Sequence, residues 1–480
     1  MDFNNKNVTV MGLGTHGGGE GLVRYLANQK AKVLVTDLKT KLELKPTLDK
    51  LADLKNVEYH LGEHRWSDFK NAKMIFINQA IPKHSLWIKK IIKAEIPVSS
   101  ETNLFFENCP AQIIGVTGTN GKSTTCHLIF EILKNKYQPI FSLDSNREYG
   151  SKQNRIYFGG NIGGSLLGHL DKISKNDLVL LELSSYQLQD LAQIKKSPHI
   201  SVILNITPDH LDIHRSFADY VAAKSNILKF QGHHDFAILN FDQPIIKKLA
   251  QKNLSHNLFF SANEKNSTSS YFDQGQLMIK FMSKQYQLGS VKNLKMIGKH
   301  NLENIMAASL VGILYQIKPE EIYQSLIKFP GLEHRIEFVG EKLNRKFYND
   351  SKSTTPESTI AALYSFDEPL ILICGGKDKN FDFSKLAKTI LCKVKFLILL
   401  GESATQIKRE VEKYLRQPNS VLKNIIVAKN LKEAFEKANQ ISIAKDIILL
   451  SPACSSLDQF HDFEERGKLF KKLVEEIKND

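Results

Sequence analysis

A phosphate-binding loop is the feature that most constrains the fold of this chain. Residues 115–124 (GVTGTNGKST) follow an apolar run and open a segment with helix-like apolar spacing. A strand, a glycine-rich turn and a helix in this order form a cradle in which backbone N–H groups bind an anion. Lys122 adds a positive charge, Ser123 offers Mg²⁺ a hydroxyl, and Val116 replaces the first glycine of the strict motif. The run therefore predicts a variant P-loop that binds a nucleoside triphosphate.

The length of the chain limits the number of domains, and its net charge limits the classes of partner. A length of 480 residues exceeds one ordinary domain, so we expect about two to three domains. The net charge of +14 is compatible with nucleic-acid or membrane-surface binding, or with a lysine-rich solvated surface. The lysines are dispersed, with no basic run interleaved with aromatic residues, and this favours the solvated surface. No nucleic-acid partner is predicted.

Cysteine usage and hydropathy indicate the compartment. The five cysteines are scattered without metal-ligand spacing, which is typical of a reducing compartment. No apolar run approaches the roughly 18 residues of a membrane helix, and the N-terminus does not resemble a signal peptide. We therefore expect a cytoplasmic protein without a membrane span.

The first segment of the chain resembles a dinucleotide-binding unit. A predicted strand at residues 7–12 leads into the turn Gly12–Gly17, and Asp37 ends the next predicted strand. This pattern predicts a nucleotide diphosphate at the turn and Asp37 near a ribose or base. The alternatives are a tight turn that merely needs glycine, or a dehydrogenase. A dehydrogenase would leave Lys122, Glu182 and His210 without a role.

Polar residues follow the predicted strands of the second segment. Glu182 lies near the end of a predicted strand at residues 178–183, where a Mg²⁺ ligand is expected, although a capping acid is the alternative. Asp209, His210 and Asp212 follow the next predicted strand and are candidates for the same rim, although a lone histidine is usually structural. The pattern around Lys224 predicts only a solvated helix lysine.

Three further polar runs begin where strands are predicted to end, at residues 349–355, 375–379 and 451–460. Hydroxyls, a lysine and backbone donors at strand ends suit a carboxylate ligand. The regular alternation of strands and helices predicts an α/β fold with parallel sheets covered on both faces. Residues 236–289 are predicted to form short strands and turns at a sheet edge. Turn signals near residues 109 and 330 predict domains at 1–109, 110–330 and 331–480.

Taken together, these runs resemble the Mur ligases of peptidoglycan synthesis over essentially the whole chain. The matching segments are residues 117–124, 159–163, 205–212, 331–335, 349–354 and 451–467. The last of these is most similar to the glutamate-adding branch of the family. The resemblance implies three domains: a Rossmann-like N-terminal domain for the UDP end of the substrate, a central P-loop mononucleotide-binding domain and a Rossmann-like C-terminal domain for the amino acid.

The resemblance also implies an activity. It is ATP-dependent amide ligation of D-glutamate to UDP-N-acetylmuramoyl-L-alanine through an acyl phosphate. A folylpolyglutamate synthase is the nearest alternative, but that class lacks the N-terminal UDP-binding domain. The sequence alone leaves the choice between D- and L-glutamate open.

Site residues are carried over from the family by motif. The implied ATP-binding residues are Gly118, Thr119, Asn120, Gly121, Lys122, Ser123, Thr124, Asn304, Arg335 and Asp350. The implied UDP-substrate residues are Gly14, Thr15, Asp37, Asn78 and Asn161. The implied amino-acid residues are Thr354, Lys379, Ser456, Leu457 and Phe463. The implied catalytic residues are Lys122, His210 and Lys224, and the implied metal site comprises Ser123, Glu182, His210 and Lys224.

The implied cofactors are ATP and two Mg²⁺ ions, and Lys224 matches a lysine that the family carbamylates. The implied partners are the small-molecule substrates alone, because Mur ligases are usually monomers. Residues 136–157 form a longer segment than the family usually has. We expect an exposed, mobile insertion there.

Overall fold

The structure, a computed structural model, describes residues 2–15, 17–141, 154–162, 164–208, 214, 216–296, 298–379, 381–415 and 420–477. Most of its strands run parallel and are joined by helices, as the alternation in the sequence predicts. The chain divides into two compact units, Met1–Lys292 with Glu303–Leu326, and Asn293–Leu302 with Ile327–Asp480. The domain boundaries predicted at residues 109 and 330 stay predictions.

The first unit begins with a parallel five-stranded sheet. Its strands are β1 (Asn7–Met11), β2 (Lys32–Asp37), β3 (Val57–Leu61), β4 (Met74–Ile77) and β5 (Val98–Ser99). Its helices are α1 (Gly18–Asn28), α2 (Lys45–Lys50), α3 (Ser67–Lys70), α4 (Leu86–Lys93) and α5 (Glu101–Asn108). The order β3-β2-β1-β4-β5 reverses between β1 and β4, which opens a crevice at the carboxyl ends of these strands.

A ten-stranded sheet completes the first unit. Its strands are β6 (Gln112–Thr117), β7 (Gln138–Phe141), β8 (Arg155–Gly160), β9 (Leu178–Glu182), β10 (Ile200–Ile203), β11 (Phe236–Asn240), β12 (His256–Ser261), β13 (Ser270–Asp273), β14 (Gln276–Phe281) and β15 (Lys284–Ser290). The order is β15-β14-β13-β12-β11-β10-β6-β9-β8-β7. The P-loop strand β6 lies between β10 and β9, so residues after all three strands meet at one rim.

The helices of this segment are α6 (Lys122–Leu133), α7 (Ser185–Ile194), α8 (Phe217–Lys229), α9 (Pro244–Ala250), α10 (Lys299–Leu314) and α11 (Pro319–Lys328), with 3₁₀ turns at Leu167–Lys172 and Val291–Asn293. The strands predicted within residues 236–289 are confirmed as β11–β15. Two of their pairings, β13 with β14 and β14 with β15, are antiparallel.

The second unit contains a six-stranded sheet in the order β16-β17-β21-β18-β19-β20. Its strands are β16 (Glu337–Lys342), β17 (Arg345–Asn349), β18 (Leu370–Gly375), β19 (Val394–Leu400), β20 (Asn424–Val427) and β21 (Ile447–Leu450). Its helices are α12 (Pro356–Leu363), α13 (Ser384–Lys393), α14 (Ala404–Glu412), α15 (Leu431–Ile441) and α16 (Phe463–Glu475). Only the pairing of β16 with β17 is antiparallel. Two apolar clusters, one containing Leu386 and the other containing Phe470, form its core.

Local residue chemistry sets where several elements begin. Helix α1 begins at Gly18, because Gly17 adopts a left-handed φ of 87° at the N-cap, which glycine tolerates. Helix α7 begins with a capping box, in which the Ser184 hydroxyl accepts from the Gln187 N–H and the Gln187 side chain accepts from the Ser184 N–H. None of the described helices combines the length and apolar character of a membrane-spanning segment.

Candidate active site

The P-loop forms the predicted strand–turn–helix cradle at the N-terminus of α6. Gly121 has a φ of 86° and is the N-cap of α6. A Cβ at this position would lie 2.3 Å from Asn304 Oδ1, so both the backbone conformation and the packing require glycine. Asn304 Oδ1 also accepts a hydrogen bond of 3.1 Å from the Thr125 hydroxyl. The structure thus brings the predicted Asn304 against the phosphate-binding turn.

The loop is held from its other side by the segment after β10. The Asn120 N–H donates to Asn205 Oδ1 at 2.8 Å, and the Asn205 amide donates back to the Asn120 carbonyl at 3.1 Å. The Thr207 N–H donates to the Thr119 hydroxyl at 3.0 Å. Lys122 Nζ donates to the carbonyls of Gly118 and Thr119, both at 2.9 Å, so its positive charge lies over the turn.

Glu182, at the end of β9, joins the P-loop to a second predicted residue. Its carboxylate is 1% exposed, and Oε2 accepts from the Ser123 hydroxyl at 2.7 Å. Its other oxygen, Oε1, accepts from the Asn161 amide at 2.8 Å. A buried carboxylate beside a P-loop hydroxyl is an oxygen donor set of the kind that Mg²⁺ prefers. The arrangement favours the metal-ligand interpretation over a capping acid, because both contacts are with side chains and neither is with a backbone N–H of a helix N-terminus.

Lys224 is buried, so the solvated surface lysine predicted from its local pattern is wrong. Its side chain is 1% exposed on α8, and Nζ donates to the Gly118 carbonyl at 2.9 Å and to the Thr117 hydroxyl at 3.3 Å. Nζ also lies 4.8 Å from the centre of the Tyr220 ring. Helix α8 packs against the P-loop strand through this face, and local spacing does not reveal that tertiary contact. The position agrees with the role implied by the resemblance.

The predicted rim after β10 is described only in part. His210, with Asp209 and Asp212, lies outside the residues that the structure describes. His214 is described: its Nε2 lies 2.9 Å from the Ser185 hydroxyl, and its ring stacks on Tyr186 at 5.3 Å. Sequence reasoning missed His214, although it lies in the same polar run. Residues 142–153 of the predicted insertion also lie outside the described part. The exposed insertion predicted over residues 136–157 is wrong at both described ends, because these belong to strands β7 and β8, where Ile140 and Tyr157 are buried.

A cavity of about 660 Å³ opens beside this rim within the first unit. All five residues predicted for the UDP substrate line it: Gly14, Thr15, Asp37, Asn78 and Asn161. Ser184 and Tyr186, at the start of α7, also line it. A concave site of this size that gathers polar groups suits a ligand of nucleotide-sugar dimensions.

Asp37 and Asn78 shape the glycine turn at the cavity. Asp37 Oδ2 accepts from the N–H groups of Leu13 at 2.7 Å and Gly14 at 3.2 Å, and Oδ1 accepts from the Lys39 N–H at 2.9 Å. The Asn78 amide donates to the Gly12 carbonyl at 3.1 Å. Both side chains therefore hold backbone in place, and their contact with a substrate stays a prediction.

In the second unit, Asp350 is a buried carboxyl at the end of β17. It accepts from the Ser451 hydroxyl at 2.6 Å and from the Ile336 N–H at 3.2 Å. Burial raises the pKa of Asp350 to about 6, although these hydrogen bonds and the charge of Arg335 act in the opposite direction. The charge of Arg335 therefore acts on Asp350 within this unit, and the contact of both residues with ATP stays a prediction.

The predicted amino-acid residues follow adjacent strands of the second sheet. Thr354 lies after β17, Lys379 after β18, and Ser456 and Leu457 after β21, and these three strands are neighbours. Phe463 begins α16, and Lys352 Nζ lies 5.5 Å from the centre of its ring. Parallel strand ends meet at one edge, so the fold brings these runs together as predicted.

Arg466 is a buried residue to which sequence reasoning assigned no role. Its guanidinium donates to the Ser351 carbonyl at 2.8 Å and to the Cys454 carbonyl at 3.2 Å. Ser351 in turn donates to the Phe463 carbonyl at 2.7 Å. Burial lowers the pKa of Arg466 to about 10, so the side chain stays charged and ties together the loops after β17 and β21. The sequence signal that could have identified Arg466 is its position within residues 451–467, a segment that resembles the Mur ligases.

Comparison with known proteins decides the family. Sequence models of three domains match successive parts of the chain: "Mur ligase MurD-like, N-terminal domain" at residues 6–100, "Mur ligase middle domain" at 116–312, and "Mur ligase, glutamate ligase domain" at 334–454. A UDP-N-acetylmuramoylalanine--D-glutamate ligase of Caldanaerobacter subterraneus subsp. tengcongensis is 36% identical over 478 residues, which cover 100% of both chains. The chain belongs to the Mur ligase family.

Further relatives agree with this Mur ligase assignment. The UDP-N-acetylmuramoylalanine--D-glutamate ligase of Clostridioides difficile is 35% identical over 486 residues, covering 100% of both chains. The match of the N-terminal domain disfavours a folylpolyglutamate synthase. Mur ligases are ATP-dependent enzymes, in agreement with the P-loop.

Solved structures share the fold at low identity. UDP-N-acetylmuramate-alanine ligase MurC of Thermotoga maritima has a TM-score of 0.58 at 16% identity, with 98% of this Mur ligase and 99% of that chain covered. A pseudomurein peptide ligase type C from Methanothermus fervidus has a TM-score of 0.56 at 19% identity, with coverages of 99% and 100%. These similarities establish the three-domain α/β architecture.

Proposed function

We propose that this Mur ligase adds D-glutamate to UDP-N-acetylmuramoyl-L-alanine with ATP as the phosphoryl donor, in peptidoglycan precursor synthesis. One pair of contacts carries the proposal. Asn161 lines the cavity, and its amide donates to one oxygen of Glu182, whose other oxygen accepts from the P-loop residue Ser123. A substrate in the cavity is thereby adjacent to the phosphate-binding loop. The 36% and 35% sequence identity to two D-glutamate ligases over their full length supports D-glutamate as the amino acid.

The donor set fits a magnesium ion. Ser123 Oγ and the buried Glu182 carboxylate would supply oxygen ligands to one ion, His210 would hold a second ion, and a carbamate on Lys224 would help to place both. The Thr124 hydroxyl is buried without a partner among the described residues, so a polar group on the phosphate side would satisfy it. Bound Mg²⁺ would neutralise charge on the phosphate oxygens.

The chemistry then follows from charge and position. The alanyl carboxylate oxygen bonds to the γ-phosphorus while the bond to the β–γ bridging oxygen breaks, giving an acyl phosphate and ADP. Lys122 offsets the negative charge that gathers on the transferred group. The glutamate amine next attacks the acyl carbon, loses a proton and expels phosphate, leaving an amide.

The residues of the second unit would orient the amino acid. Lys379, Thr354 and Ser456 offer a cation and hydroxyls for its carboxylates, and Phe463 and Leu457 would complete the contacts. Arg335 and Asp350 would contact ATP. Because ATP is the phosphoryl donor, we place the reaction in the cytoplasm. We propose a monomer, which light scattering during gel filtration would test.

The test measures phosphate release from ATP with UDP-N-acetylmuramoyl-L-alanine and one amino acid at a time. We expect release only with D-glutamate, and loss of release in Lys122→Ala but not in the control Lys134→Ala at the end of the same helix. Release with another amino acid alone would move the chain to a sister reaction. No coupled release with any amino acid would overturn the proposal.

A further inference from the structure

His64 is a cavity residue for which the proposed chemistry has no role. It lies in the loop after β3, is 9% exposed and lines the cavity. Its ring meets Trp87 and Phe69 edge-on, each at a centroid distance of 5.8 Å. Packing on two aromatic rings fixes the plane of the imidazole, so its nitrogens have defined directions.

A buried hydroxyl determines which nitrogen of His64 carries the proton. The Thr36 hydroxyl lies 2.8 Å from Nδ1, 3.3 Å from Asp68 Oδ2 and 3.4 Å from the Glu63 carbonyl. The last two oxygens can only accept, and we assign the single hydroxyl proton to the charged one, Asp68. In that arrangement Nδ1 donates to Thr36, and Nε2 carries the lone pair. This tautomer is assigned from the hydrogen-bond network.

Asp68 is itself held in place, so its carboxylate stays within reach of the Thr36 hydroxyl. Its Oδ2 accepts from the Arg65 N–H and from the His60 ring, both at 2.8 Å. Asp68 is buried, so its carboxylate offers Thr36 a fixed negative acceptor. Burial also lowers the pKa of His64, although Asp37 and Asp68 act in the opposite direction, and a neutral ring keeps Nε2 as an acceptor.

A nucleoside bound in the cavity would present hydrogen-bond donors that require an acceptor. Both oxygens of Asp37, the acidic residue at the end of β2, already accept backbone N–H groups. A uridyl group presents donors in its uracil N3–H and its ribose hydroxyls. We propose that His64 Nε2 accepts a hydrogen bond from the nucleoside part of the substrate, and that Thr36 and Asp68 are positioning residues for it. This inference rests on the proposed function.

The first arm of the test measures UDP binding to the full chain by calorimetry. We expect His64→Phe, which keeps a flat ring but has no acceptor, to raise the Kd about 10-fold, as loss of one hydrogen bond does. His64→Gln places an amide oxygen near the Nε2 position and should recover most of the affinity. Thr36→Val should weaken binding by a smaller factor. In turnover, the KM for the UDP substrate should rise while kcat and the KM for ATP stay unchanged.

The second arm uses the unaltered chain, so it is informative even if a variant fails to fold. We expect either 3-methyl-UDP or 2′-deoxy-UDP to bind about as weakly as UDP binds His64→Phe, which identifies the base or the ribose as the donor. The same analogue should lose no further affinity in His64→Phe. 3′-Deoxy-UDP tests the remaining ribose hydroxyl in the same way. Full affinity of the unaltered chain for all three analogues, or of His64→Phe for UDP, would overturn this inference but not the proposed function. No UDP binding by the unaltered chain would overturn the proposed function as well.

Discussion

Lys224 Nζ donates a 2.9 Å hydrogen bond to the carbonyl of Gly118, which places a buried α8 side chain against the phosphate-binding loop. The same nitrogen contacts the Thr117 hydroxyl at 3.3 Å. A carbamate on this nitrogen would keep one N–H for the Gly118 carbonyl and add a carboxylate beside the loop. The site could then exchange a positive charge for a negative one without moving the helix.

Lys224→Arg tests this arrangement, because arginine keeps a positive charge but does not form the carbamate. We expect kcat to fall by about two orders of magnitude, in line with the loss of a positioned electrostatic group. Incubation with ¹³C-bicarbonate should give a carbamate signal by NMR in the unaltered chain and none in the variant. Lys229→Arg, at the exposed end of the same helix, is the matched control. Normal turnover of Lys224→Arg would show that no carbamate is needed.

Glu182→Gln tests the metal-ligand role. Glutamine keeps one acceptor oxygen for the Asn161 amide but turns its amide N–H group toward Ser123, and it brings no charge to a cation. We expect the Mg²⁺ concentration for half-maximal activity to rise at least about 10-fold, measured by titration at fixed ATP. Glu131→Gln, on α6 and paired with Lys134, should leave the titration unchanged. An unaltered Mg²⁺ dependence in Glu182→Gln would contradict the assignment.

Asp350→Asn tests the buried carboxyl of the second unit. The pKa of Asp350 is raised from 3.8 to about 6, so the folded state binds the proton more tightly than the unfolded state. This contribution to stability is present at low pH and is lost as the pH rises toward and through about 6. Asparagine has no charge to bury.

The free energy of unfolding of Asp350→Asn relative to the unaltered chain should therefore increase between pH 4 and pH 7.5. The increase should approach about 3 kcal/mol. This figure is the difference between the folded-state pKa of about 6 and the ordinary value of 3.8, converted at roughly 1.4 kcal/mol for each pKa unit. Urea midpoints at several pH values would measure it. Asp367→Asn, on a loop of the same unit, is the control. A difference that does not vary with pH would contradict the raised pKa.

Lys83→Met tests an ion pair that holds the cavity wall. Lys83 pairs with Asp190 of α7, whose side chain is 1% exposed, and Pro82 next to Lys83 lines the cavity. Removing Lys83 leaves a buried carboxylate without its cation, so we expect a loss of about 2 kcal/mol of stability, reduced by the partial exposure of Lys83. The KM for the UDP substrate should rise.

The double variant Lys83→Met with Asp190→Asn tests whether the instability of Lys83→Met comes from the unpaired buried charge of Asp190. We expect it to be more stable than Lys83→Met alone, because no unpaired charge remains buried. Chemical denaturation of both variants and of the exposed control Lys89→Met would measure this difference. Equal stability of the single and double variants would contradict the expected cost of leaving Asp190 buried and unpaired.

The sequence by itself determined what depends on near neighbours in the chain. The P-loop was predictable because its glycines, Lys122 and Ser123 lie within one turn. Strand ends were predictable from apolar runs, and parallel strands must end at one edge. Glu182 therefore lies at the rim beside the P-loop within the first unit, and the runs after β17, β18 and β21 lie at one edge of the sheet of the second unit.

Only the tertiary structure decided the roles of residues whose partners are distant in sequence. Local spacing placed Lys224 in solvent, but α8 packs this face on the P-loop and buries it. Arg466 and His64 likewise depend on partners from other elements, Ser351 and Thr36. Burial and hydrogen-bond direction depend on which surfaces meet, and periodicity along one helix or strand does not contain that information.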